Sequence, residues 1–204
     1  MQRSPAALVA LLMLAPTIAS LHAQDRRLAE RLDPVTSTAV QQLVDSAHAL
    51  QLPTEPLVQK ALEGSTLGAG GDRIRTAVGA LLSQLGRARE ALGPAATEAE
   101  LTAGAGALRA GLTTETLQHL RSLRQGRPLV VPLSVLTDLV AEGMTADLAA
   151  RSVFDLVRNG RPDADFVALR RRVQGELRSG AGRDAGPLGR PGARPAADPP
   201  GQRP

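Results

Sequence analysis

Apolar positions fall in short runs of helical period from residue 33 to residue 177, with no sustained alternation of period two. The longest run lies between Asp72 and Leu92. Ile74, Val78, Leu81, Leu85, Ala88 and Leu92 are spaced 4-3-4-3-4, one stripe of an α-helix that Ala77 and Leu82 widen. Asp72 offers a cap at its start and Gly93-Pro94 a stop at its end. Leu81 and Leu85 fall mid-ridge, where burial is expected to be deepest. Val40, Leu43, Val44, Ala47 and Leu50 form a second face after Asp33-Pro34, and Leu101, Ala105, Leu108 and Leu112 a third. Ala149, Val153, Leu156 and Val157 lead to a last face of Phe166, Leu169, Val173 and Leu177. Shorter helices fit Glu55–Glu63, Thr113–Leu123 and Pro132–Glu142. The pattern predicts about eight amphipathic helices. Leu129-Val130-Val131, held between two prolines, reads as an extended connector.

The junctions between these runs resemble one another. Gln51-Leu52-Pro53-Thr54-Glu55 recurs as Gly111-Leu112-Thr113-Thr114-Glu115 and as Gly143-Met144-Thr145-Ala146-Asp147, with a looser copy at Gly160-Arg161-Pro162-Asp163. A glycine in left-handed conformation ends one helix, the next side chain folds back, and Thr, Pro or Asp opens the following helix. The acid then sits in the first turn, where the helix dipole favours it. The expected fold is therefore all-α: stacked antiparallel hairpins, arranged as an irregular α-solenoid or a bundle.

Both ends of the chain differ from this. Arg3 precedes a largely apolar stretch from Ala6 to Ile18, and Ala23 stands before Gln24. That is the layout of a secretory signal peptide over residues 1–23, too short in its apolar part to span a bilayer. Residues 180–204 hold six prolines, six glycines and one large apolar side chain, Leu188. Such a segment cannot offset the entropy of ordering and is expected to be a disordered tail. The helical domain is then residues 24–179, exported to the periplasm or secreted. No later run is apolar and long enough to cross a membrane.

Composition narrows the chemistry. The 204 residues include no cysteine, which removes disulfides, thiolate metal sites and cysteine nucleophiles. Two Phe and no Tyr or Trp leave little for stacking bases or sugars. The chain carries +4, of which Arg3 supplies one charge and the tail two, so residues 24–179 carry only +1. The isoelectric point near 11.0 reflects an arginine excess with a single lysine and no tyrosine. An exported domain so nearly neutral is not a nucleic-acid binder.

Few residues point to a reaction. After signal removal the histidines are His48, three residues beyond Asp45, and His119. Neither lies in a metal or hydrolase motif, and no cofactor fingerprint is present. Gly64–Gly71 is glycine-rich but lacks the strand and the Lys of a phosphate loop, and reads as an interhelical loop. Arg109, Arg121, Arg124 and Arg127 cluster around one hairpin and are candidate contacts for an anion or a partner. Arg170-Arg171-Arg172 reads as a solvated helix face. Gly79, Ser83 and Gly86, then Gly104 and Gly106, put small residues along two helices, fit for a close crossing or a groove. The expected function is a non-catalytic interaction or scaffold module of the cell envelope, with another envelope protein as partner. A chaperone or apolar-ligand carrier would instead need a large open apolar pocket. An enzyme would need a cleft bringing His48 or His119 beside two carboxylates.

Overall fold

The computed structural model describes residues 26–178, so the expected signal peptide and tail lie outside the described residues. Nine helices and no strand occur in this span. They are α1 (26–31), α2 (Pro34–Ala49), α3 (Glu55–Thr66), α4 (Gly71–Leu92), α5 (Glu98–Arg109), α6 (Thr114–Leu123), α7 (Val130–Ala141), α8 (Ala146–Arg158) and α9 (Asp163–Arg178).

Short polar side chains cap α2, α5, α6 and α8. Asp33 accepts hydrogen bonds from the amides of Val35 (3.1 Å) and Thr36 (3.0 Å), with Pro34 in the first turn of α2. Thr97 and Glu100 form a reciprocal capping box on α5. Thr113 and Thr145 cap α6 and α8. Asp72 is not a cap: Gly70 holds that position, and Asp72 lies in the first turn, exposed and paired with Arg75 at 3.0 Å.

The repeated junction is one hydrogen-bonded motif used five times. At Leu52, Ala69, Leu112, Met144 and Arg161 the amide donates back five residues, to Ala47, Gly64, Ala107, Leu139 and Leu156. The preceding residue donates back three residues in every case. This is the Schellman closure, which satisfies carbonyls left open at a helix end. It needs a positive φ, and Gly68, Gly111, Gly143 and Gly160 supply it at 63–101°. Leu52 and Leu112 fold back and are buried, as the junction pattern predicts.

The motif returns the chain on itself at each hairpin, and two layers result. From α2 to α9, every substantial helix contact joins elements one or two apart in the chain. The even helices form one row through α2–α4, α4–α6 and α6–α8 contacts. The odd helices form the other, with α5 on α7 and α7 on α9. Ion pairs and hydrogen bonds fix the direction within that row. Arg170 meets Asp138 and Gln174 meets Glu142, so α7 and α9 run parallel. Arg27–Glu55 and Ser65–Arg31 do the same for α1 and α3. Helix α4, the longest, touches α2, α3, α5 and α6 and joins the rows.

Packing explains where the ridge reading holds and where it shifts. Leu85, Val78 and Ala88 of α4 are fully buried, whereas Leu81 is only half-buried because the facing row is interrupted above it. Leu50 caps α2 and is 63% exposed, outside the core face expected of it. Leu129-Val130-Val131 is not an extended connector: Leu129 caps α7 and the two valines open it. Pro132 is tolerated because its missing N–H falls in the first turn, where amides have no helical acceptor. Gly64 to Thr66 belong to α3, so the loop shortens to Leu67–Gly70. Gly71 then opens α4 against Thr36, where a Cβ would come within 2.0 Å of the Thr36 hydroxyl.

Candidate functional site: a gap in the odd helical row

Helices α3 and α5 break the pattern of their row by sharing no substantial contact. Between them lies a groove of about 340 Å³. Pro56, Gln59, Lys60 and Glu63 form the α3 wall, and Thr102, Gly106 and Arg109 the α5 wall. Leu81 of α4 lies at the floor. The two glycines of α5 act differently. A Cβ on Gly104 would meet Ala88 and Leu92 at 3.1 Å, so Gly104 permits the close α4–α5 crossing. Gly106 faces open space, as do Gly79 and Gly86.

Electrostatics in the groove follow from its walls. Lys60 Nζ lies 2.9 Å from Glu63 Oε2. The hydrogen bond and charge of Lys60 hold the Glu63 carboxyl below its ordinary range, and the positive charge of Arg109 acts in the same direction. Two cations facing one carboxylate leave the groove with an excess of positive charge.

The four candidate arginines are not one patch. Arg109 lies in this groove, while Arg121 and Arg127 line another of about 510 Å³ between the α4–α5 turn and the α6–α7 loop. Arg124 is buried: it pairs with Asp163, and its guanidinium lies 5.2 Å from the Phe166 ring centre. Arg121 pairs with Glu100 at 3.1 Å. Glu100 also accepts from the amides of Thr97 (3.0 Å) and Leu129 (2.9 Å). Burial pushes its carboxyl up, but these hydrogen bonds and the Arg121 charge outweigh burial and hold it below the usual range. Two of the four arginines thus tie helices together. Sequence spacing cannot separate such arginines from free ones, because Glu100 and Asp163 lie 21 and 39 residues from the side chains they meet.

The histidines also separate. His119 packs edge-on against Phe154, ring centres 4.8 Å apart, joining α6 to α8. His48 lines an open cleft of about 650 Å³ whose lining also includes Glu55 and Glu98. Arg27 and Gln59 already engage Glu55, and Asp45 accepts from Gln41 at 2.8 Å. Among the described residues, no three His, Asp or Glu side chains are placed to hold a metal ion, and no helix is long and apolar enough to cross a membrane. Each of the three grooves is open and carries charged residues in its lining. Comparison of the chain with protein-family models, with curated proteins and with solved structures finds no match.

Proposed function

We propose that the chain is an exported, non-catalytic interaction module of the cell envelope, and that the α3–α5 groove is its contact surface. The observation that carries this reading is the gap itself. The odd row packs helix on helix from α5 to α9 but leaves α4 uncovered between α3 and α5. A partner segment that lays an apolar side chain over Leu81 and a carboxylate against Arg109 matches what the groove presents. Rows of helices that contact only near neighbours commonly present such surfaces along their length.

Capture from the native envelope tests it. An acidic envelope protein should be retained by the wild-type chain and by Arg73→Glu, at the exposed start of α4, and lost with Arg109→Glu. Equal retention by Arg109→Glu would place the contact elsewhere. Export rests on the layout of residues 1–23, and N-terminal sequencing of the mature chain should begin near Gln24; an intact Met1 contradicts it.

The His48 cleft favours a second reading, an enzyme of unassigned reaction. It requires a turnover activity of the purified mature chain that His48→Gln abolishes.

A further inference from the structure

Helix α5 presents one stripe to the gap, and the two ends of that stripe carry opposite charges. Thr102, Gly106 and Arg109 line the groove over Leu81, and Glu98 lines the neighbouring His48 cleft. Steps of four, four and three residues put these four on one face of α5. Helix α3 follows the same course, with Glu55 on the cleft and Gln59 and Lys60 on the groove. The two helices therefore wall both spaces as one track. On the α3 wall the charges are already engaged: Arg27 and Gln59 hold Glu55, and Glu63 holds Lys60. The α5 wall differs. Glu98 and Arg109 are its first and last residues, about 16 Å apart along the axis. Both are exposed, and neither side chain forms a hydrogen bond or a salt bridge among the described residues. Between them Gly106 faces open space, and the Thr102 hydroxyl donates to the Glu98 carbonyl at 2.9 Å.

We infer that the occupant of this track is an extended segment of a partner protein with a basic and an acidic side chain about five residues apart, the base at Glu98 and the acid at Arg109. This deepens, and rests on, the reading of the α3–α5 groove as the contact surface. Five extended residues at about 3.3 Å each span the distance between the two charges. A helix does not fit: one about 10 Å across laid beside Thr102–Arg109 needs about 800 Å³, against the 340 Å³ of the groove. An apolar side chain between the two charges covers Leu81. A segment with acids at both ends meets repulsion at Glu98, so the track selects by the order of charge along it as well as by its amount.

Binding of blocked synthetic peptides to the mature chain, read by fluorescence anisotropy, tests it. Each peptide carries a central leucine and an aspartate, with either lysine or glutamine five residues from the aspartate. The lysine peptide should bind about fivefold tighter than the glutamine peptide, the upper range for one exposed ion pair, and lose that advantage in about 1 M NaCl. Glu98→Gln, which leaves the Thr97–Glu100 capping box in place, should erase the advantage, and Glu98→Lys should reverse it. Arg109→Glu should weaken both peptides. Equal affinity of the two peptides, or a lysine advantage that survives Glu98→Gln, would overturn the two-ended segment; if Arg109→Glu still weakened both, the groove reading would stand. Binding of neither peptide, or binding indifferent to Arg109→Glu, would overturn both.

Discussion

Gln51 stands where the other Schellman turns place glycine, at φ 54°. A Cβ in that conformation costs about 1–2 kcal/mol, and the turn is held by the amides of Gln51 and Leu52 rather than by the glutamine side chain. Gln51→Gly should therefore stabilise the fold by about 0.5–1 kcal/mol in chemical denaturation, and Gly111→Ala should destabilise it by a similar amount. Burial separates two leucines that the periodic pattern makes equal. Leu85 is fully buried, so Leu85→Ala should cost about 2–5 kcal/mol. Leu81 faces the groove, so Leu81→Ala should cost about 1 kcal/mol, and Arg87→Ala, on the exposed side, under about 0.5 kcal/mol. Equal losses at Leu81 and Leu85 would mean that the groove is closed in solution.

Among the described residues, Glu100 of α5 is the one buried carboxylate, and it joins three segments. Glu100 caps its own helix, accepts from the amide of Leu129 at the N-cap of α7 and pairs with Arg121 of α6. Its carboxyl is held below the ordinary range in the folded chain. The stability it contributes is thus present above the pKa of the unfolded chain and is lost as pH falls through the carboxylate range. Glu100→Gln should cost about 2–3 kcal/mol at neutral pH and flatten the acid side of the stability profile, measured by denaturation between pH 3 and 7. Helix positions were legible in the sequence because local chemistry sets them: caps at Asp33, Thr113 and Thr145, and positive φ at the junction glycines. The opening of α7 was less legible, since prolines flanking Leu129–Val131 fit a connector as well as a first helical turn. The division of the arginines was not legible at all. Whether Arg124 is solvated or buried depends on Phe166 and Asp163, which only the layered packing brings to it.

At the scale of the molecule, the stack is built from contacts between near neighbours in the chain, with α4 joining both rows. Such a stack does not require its rows to be complete, and the odd row leaves the groove over Leu81. Periodicity shows which face of α4 is apolar. It does not show that α3 and α5 stand apart above it, because that separation is a relation between two helices 32 residues apart at their nearest ends and no local pattern codes it. The groove as the working surface of an envelope interaction module is the central claim, and site-specific photocrosslinking in the native envelope tests it most directly. A photoreactive residue replacing Gln59, exposed on the groove wall, should crosslink to a discrete partner, and the same residue at Arg73 should not. A partner crosslinked from Arg73 and not from Gln59 would contradict the claim.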